Sequence, residues 1–409
     1  MTLPSSILIT SMLMQSIPAK EAAHRLGVKP ATLYAYVSRG LLTSTKSKDG
    51  RTSRFDADEI ERLTRTGRRA HRPTRTGSVD VVIATAVTRI DNEQGPVYRG
   101  RLATDLAVSG TFEAAADWLW SGTDPGPEPT SWPAPEPVPA SVREMATTAA
   151  PFHRLLVVAA TLAADDLYRH DLRPEAIAGV GRKLISSFAG VPDIGRGRKG
   201  GSIAERLWAG LSRRPAPDGA IAVLNAALVL LADHDLAAST LAARVAASTR
   251  ADPYSVVASG LGVLTGPLHG GASRAAHRLF VQALDAGGPA PVLGDLLRRG
   301  EPVPGFGHKI YTDADPRARA LWRLFIDAGF DAKRVATAEE LLTAATERVP
   351  VKANIDFALA AFTFAAGLPE DTGEWVMAIA RTAGWLAHAV EEYGEAPLRF
   401  RPRAEYVGL

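Results

Sequence analysis

The sequence predicts a mainly α-helical protein, a large helical body preceded by a small winged helix-turn-helix head. Three observations carry that expectation. From Phe152 onward the chain alternates Ala- and Leu-rich stretches with short breaks, and strand patterns are nearly absent. Residues 220–232 (AIAVLNAALVLLA) are apolar on every side, the pattern of a helix buried all round. Ahead of the body, residues 17–63 run as helix, glycine turn, helix and a short basic stretch suited to a wing.

The head takes its elements in order. Residues 18–26 (PAKEAAHRL) place Ala22, Ala23 and Leu26 on one helical face, and Gly27–Val28 make the turn. Residues 30–38 (PATLYAYVS) begin a second helix with proline at its first position. Arg39–Gly40 close it, residues 51–55 suit a short wing strand, and residues 57–63 suit a further helix. Residues 64–78 form a basic linker with Arg65, Arg68, Arg69 and Arg72.

The body is expected over residues 79–409. Its opening (VDVVIATAVTRID) is β-branched and suits one or two short strands, and the seven prolines of residues 125–139 suit an extended surface loop. Besides residues 220–232, helical runs fall at 236–250, 272–286, 317–328, 337–347, 356–366 and 373–393. No solenoid repeat is present.

Composition narrows the chemistry. With 46% hydrophobic and 22% charged residues, the 409-residue chain can bury a core large enough to hold an active site. It has no cysteine, which excludes disulfides, thiolate metal sites and a cysteine nucleophile. No apolar run reaches the roughly 20 residues that span a bilayer. The apolar Ile7–Leu8–Ile9 stretch lacks the flanks of a signal peptide, and Met12 and Met14 stand open as alternative starts. A soluble, cytoplasmic protein is expected. The net charge of +3 conceals an asymmetry: residues 1–77 hold 14 basic and 6 acidic side chains, the remainder 33 and 38. A basic head on an acidic body suggests a polyanion partner for the head alone, the plainer alternative being a solvated arginine-rich linker.

Four positions stand out as candidates for chemistry. His269 lies in a glycine-rich break (GPLHGG) and His308 in another (PGFGH), each just before a helical run. His234 ends the buried 220–232 run, and Asp356 opens the run at 356. Each has a structural alternative: a histidine bonding a nearby carbonyl, His234 as a C-terminal cap, Asp356 as an N-cap worth about 1 kcal/mol.

Together these positions sit in a series of motifs. The segments "ADHDLAASTLAARVAASTRADPYSVVASGLGVLTGPLHGGAS", "PGFGHKIYTDADPRA", "ANIDFALAAF" and "ARTAGWLAHAVEEYGEAPLRFRPRAEYVG" occur in that order, and "YRGRLATDLAVSGTFEAAADWLWSG" precedes them. This series resembles the bacterial-type citrate synthases, a family that includes 2-methylcitrate synthases, over about 330 residues from Val79 onward. The head, "AAHRLGVKPATLYAYVSRGLL…GRTSRFDADEIERL", is similar to the DNA-binding heads of MerR-type regulators and excisionase-like proteins. There Lys29, Thr32, Tyr34, Tyr36 and Arg39 would lie on or near the second helix and Arg51 and Arg54 on the wing. A module of the same shape that docks on protein is the alternative.

The resemblance implies the citrate synthase fold, with a large helical domain, a smaller mobile one at about 265–370, and a homodimer. It implies condensation of acetyl-CoA with oxaloacetate, with propionyl-CoA as the alternative. Asp356 would be the base, His269 would hold the thioester oxygen, and His308 would act as the acid on the ketone. His234, Arg317 and Arg381 would bind oxaloacetate, and Arg401, with Arg399 and Arg403 close by, would reach a neighbouring subunit's site. No metal, flavin or nucleotide cofactor is implied, CoA arriving as the thioester substrate. The chain departs from the family pattern at Leu359–Ala360, at Leu231 and at Thr312, where relatives often carry a basic residue that contacts CoA; Lys309 stands nearby. A DNA-binding regulator whose body only senses a ligand is a further alternative.

Overall fold

The computed structural model describes residues 16–26, 28–38, 42–47, 52–57, 59–60, 82–123, 132, 145, 149–192, 200–266, 269–311 and 313–402. The chain divides into two compact units, Met1–Ile83 and Ala84–Leu409.

In the first unit, β1 (Ser16–Pro18) leads into α1 (Ala19–Leu26), α2 (Pro30–Ser38), β2 (Ser44–Lys46) and β3 (Ser53–Asp56). The strands form an antiparallel sheet in the order β1-β3-β2, with Ile17 opposite Phe55 and Thr45 opposite Arg54. Ala22 and Ala23 of α1, Leu33 of α2, and Leu42, Phe55 and Ile60 make a core of their own. The core is small, in keeping with a unit of this size. The wing strand starts at Ser53, two residues later than expected, and Ala57, Glu59 and Ile60 are helical. The expected linker at 64–78 lies outside the described residues.

The second unit opens with an antiparallel meander, β4 (Thr88–Asp91), β5 (Gly95–Tyr98) and β6 (Arg101–Leu102). Helices follow: α3 (Ala103–Ser109), α4 (Phe112–Ser121), α5 (Pro151–Asp165), α6 (Pro174–Ala189) and α7 (Ile203–Leu211). Then come α8 (Ala220–Leu231), α9 (Ala238–Ser248), α10 (Pro253–Leu264), α11 (Ala272–Asp285) and α12 (Pro289–Arg299). The last are α13 (Pro316–Ile326), α14 (Ala332–Thr346), α15 (Ile355–Ala365) and α16 (Thr372–Gly394). Proline fixes the first turn of α5, α6, α10, α12 and α13, where no backbone donor is needed.

α16 is the spine of this unit, since almost every residue from Thr372 to Ala389 is buried. α8 and α15 are likewise buried on nearly all sides, as continuous apolar runs require. Among the described residues of the β-branched opening, Thr88–Asp91 forms a strand and residues 82–87 do not. The proline-rich 125–139 stretch lies outside the described residues except for Trp132, which is buried rather than on the surface. Its indole stacks on Trp120 with ring centroids 5.6 Å apart, and Nε1 donates to Asp117 at 3.3 Å. Burial of so large an apolar ring is favourable whatever the local composition. Among the described residues no helix is long and apolar enough to cross a membrane.

Candidate active site

Six of the expected side chains open on one cavity of about 950 Å³: His234, His269, His308, Arg317, Asp356 and Arg381. They arrive from separate segments. His234 follows the C-terminus of α8, and His269 sits in the turn before α11. His308 lies in the loop before α13, Arg317 and Asp356 stand in the first turns of α13 and α15, and Arg381 comes from the middle of α16.

Local backbone chemistry holds these segments in place. In the turn before α11, the N–H groups of His269 and Gly270 both donate to the Gly266 carbonyl, at 3.0 and 3.2 Å. A Cβ at Gly270 would lie 2.2 Å from the Leu264 carbonyl oxygen, so only glycine fits. The His308 loop is pinned to the approach to α15 by Gly307 N–H to Lys352 O (2.8 Å) and Asn354 N–H to Gly305 O (2.8 Å). The Asn354 side chain adds a bond to Gly307 O at 2.7 Å and accepts from the N–H of Asp356 at 3.0 Å. Gly305 has φ +80°, and a Cβ there would stand 2.7 Å from Cβ of Phe357, so the loop passes close over α15. Asp356 is therefore not the N-cap; Asn354 is.

The electrostatics are set by burial. Desolvation pushes the Asp356 carboxyl up to about 6 and His269 down to about 4. His308 is lowered by burial and then by Arg317, and His234 falls well below its ordinary value for the same two reasons. The three imidazoles are thus neutral near pH 7. His308 Nδ1 accepts the N–H groups of Ile310 (3.0 Å) and Tyr311 (3.2 Å), so the ring proton sits on Nε2. Arg317 Nη2 lies 3.4 Å from that Nε2. Two donors side by side suit a single shared oxygen acceptor.

Arg317 is buried and held by Asp315, which caps α13 and takes both guanidinium Nε (3.0 Å) and Nη2 (2.8 Å). Asp315 also accepts from the N–H of Ile355 at 3.0 Å, coupling the start of α13 to that of α15. Arg381 is buried too, yet its Nε and Nη1 have no hydrogen-bond partner among the described residues. A buried guanidinium with unpaired donors beside a cavity is a site for a carboxylate.

Arg401 stands outside this cluster, exposed near the chain's end, while Arg399 pairs with Glu392 at 2.6 Å. In the head, Lys29 and Tyr34 are exposed, and Thr32 and Tyr36 are half-buried. Arg54 reaches β1, where Nε donates to Ser16 Oγ at 2.9 Å and Nη2 to the Ser16 carbonyl. Arg39, Arg51, Thr312 and Arg403 lie outside the described residues. Tyr311, Asp315, Asn354 and Ser239 were not singled out by the sequence. Of these, Asp315 and Asn354 carried a signal, each standing where a helix N-cap is needed.

Comparison with known proteins agrees with the fold. Residues 78–403 match the family model for the citrate synthase C-terminal domain, and residues 17–68 match that for MerR HTH family regulatory proteins. The chain is 31% identical over 356 residues to a citrate synthase of Saccharolobus solfataricus, covering 80% of this chain and 94% of that protein. It is 30% identical over 353 residues to a 2-methylcitrate synthase of Corynebacterium glutamicum, covering 79% and 92%. The solved citrate synthase of Thermotoga maritima superposes with a TM-score of 0.64 at 26% identity, covering 80% of this chain and 94% of that one. That of Pyrobaculum aerophilum gives 0.69 at 25% identity, covering 90% and 95%. A mainly helical acyl-transferring enzyme with a helix-turn-helix head is the class that these features define. The chain belongs to the citrate synthase family.

Proposed function

We propose that the chain condenses an acyl-CoA with oxaloacetate, releasing CoA. The observation that carries this reading is the meeting of His269, His308 and Asp356 around one cavity that also holds two buried arginines. Asp356 takes a proton from the carbon next to the thioester carbonyl. That carbon acid is very weak, so the enolate must be stabilised as it forms. His269 serves there: its Nε2 lies 2.9 Å from the Ser239 hydroxyl, and the tautomer in which that hydroxyl donates leaves the ring proton on Nδ1 for the thioester oxygen. The enolate carbon attacks the ketone carbon while the ketone oxygen takes the proton from His308 Nε2. Water then cleaves the thioester, freeing the thiol. Arg317 and Arg381 neutralise the two carboxylates of oxaloacetate, with His234 beside them.

The acyl group is acetyl or propionyl. One methylene is worth about 1–3 kcal/mol of discrimination, and relatives of both kinds are similar to this chain. The test is thiol release by the purified full chain with oxaloacetate and each thioester in turn. Release that requires oxaloacetate is expected, and the ratio of kcat/KM values identifies the substrate. A folded chain that releases no thiol from either would overturn the reading.

A second copy of the chain suits the shallow apolar groove lined by Leu241, Ala242 and Val245 of α9 and Ser259 of α10, where Val245 is 40% exposed. For the head, the match to MerR-type regulators and the basic charge of residues 1–77 support binding of duplex DNA. Affinity for DNA is expected to fall steeply between 50 and 200 mM salt and to be lost on removal of residues 1–77, with condensation largely retained. A full-length chain that fails to bind duplex DNA at low salt would leave the head as a protein-docking module.

A further inference from the structure

Tyr311 belongs to no role assigned so far, yet it touches three of the six side chains around the cavity. Its hydroxyl lies 3.1 Å from His234 Nε2. Its ring centroid is 4.8 Å from that of His308 and 5.6 Å from that of His234. The Arg317 guanidinium stands over its face, 5.4 Å from the ring centroid. The side chain is only 2% exposed and does not line the cavity, so it acts on a bound molecule through its neighbours.

We infer that Tyr311 is the positioning residue for the 2-oxo acid, fixing the His234 ring through its hydroxyl and steadying Arg317 through its face. This rests on the reading of the cavity as an oxaloacetate site. With the hydroxyl as donor to His234 Nε2, the imidazole proton is left on Nδ1. Burial keeps the phenol up at about 12, so the donor persists across the physiological range. The ring face supports Arg317 by a desolvated cation–π contact, while Asp315 holds the same guanidinium by two in-plane hydrogen bonds. Together these contacts fix the plane and direction of Arg317. The Tyr311 contacts are all to groups assigned above to the 2-oxo acid.

Two variants separate hydroxyl from ring. Tyr311→Phe keeps the aromatic face and deletes the hydrogen bond; Tyr311→Leu deletes both. With the full chain, Tyr311→Phe is expected to raise KM for oxaloacetate about tenfold, the effect of leaving one buried partner unsatisfied. KM for the acyl-CoA should stay within about twofold. Tyr311→Leu should weaken oxaloacetate further, and calorimetric titration of oxaloacetate alone should follow the same order. A purely structural role would lower the melting temperature and shift both KM values together. Unchanged oxaloacetate affinity in Tyr311→Phe, in a wild type that turns over, would overturn this inference and leave the proposed reaction standing. A wild type that neither binds nor consumes oxaloacetate would remove both.

Discussion

Asp356→Asn is expected to lower kcat about a thousandfold while making the folded chain more stable above pH 6. The rate loss follows from removing the base, whose contribution in such proton transfers is about 10²–10⁴. The stability gain follows from linkage. Burial lifts the Asp356 carboxyl from its ordinary 3.8 to about 6, so the folded state resists its ionisation while the unfolded state does not. A carboxyl raised in this way favours the fold below about pH 4, and that contribution is lost as pH climbs through 6. Above pH 6 the wild type carries the full penalty, about 2–3 kcal/mol. Asparagine carries none, so its advantage should be greatest at pH 7–8, shrink between pH 6 and 4, and vanish below. Denaturation midpoints of the two proteins across pH 4–8 check this. Equal stability at pH 8, or a variant that is less stable there, would show that Asp356 is not held in a desolvated pocket. In the wild type, the same carboxyl should make kcat/KM fall as pH drops below about 6, as the base becomes protonated.

Arg244→Met should cost the fold about 3–5 kcal/mol, the usual penalty for stranding buried partners of an ion pair. Arg244 of α9 is fully buried, and its Nε donates to Glu392 at 3.1 Å and its Nη1 to Glu391 at 2.9 Å. The same Nη1 lies 2.8 Å from His388 Nδ1, and His388 Nε2 lies 3.2 Å from Asp233. Glu391 also accepts from Thr85 Oγ1 and the Ala86 N–H, at 2.8 and 2.7 Å, and Glu392 accepts from Arg399. One guanidinium therefore ties α9 to α16, and through the two glutamates to the start and end of the body. Methionine fills similar volume but satisfies none of these acceptors, and Glu392 is fully buried. Urea titration of the two proteins measures the difference. A change below about 1 kcal/mol would mean that water or Arg399 alone suffices to solvate the glutamates.

How much of this was legible in the sequence depended on whether a feature was local. Helices such as α8 and α16 could be read because a single stretch of sequence records their burial. α12, rich in proline and glycine at its start (GGPAPVLGDLLRRG), shows little helical pattern; Gly288, Pro289 and Gly300 in fact define its ends. Trp132 could not be placed on the core from its proline-rich surroundings, because its partners Trp120 and Phe112 are brought to it by tertiary packing.

The site divides in the same way. His269 and His308 stand out in glycine-rich breaks whose purpose, close backbone approach, the geometry of Gly270 and Gly305 makes plain. Asp356 alone reads as a cap, and it takes Asn354, two residues earlier, to occupy that role and free the carboxylate. Tyr311 and Ser239 carry no local mark. Each is hydrogen-bonded through its hydroxyl to a ring nitrogen 77 or 30 residues away in the chain. The head shows the same limit: the sequence gives no sign that strand pairing brings Arg54 within reach of Ser16, which accepts from its Nε.

The most direct test concerns whether His269, His308 and Asp356 work as one unit on one thioester. Single substitutions His269→Ala, His308→Ala and Asp356→Asn should each lower kcat for thiol release by at least about a hundredfold, and the triple variant should be no slower than the slowest single, as for residues that act together. Effects that multiply across the three positions, or any one variant with the rate of the wild type, would contradict the shared site.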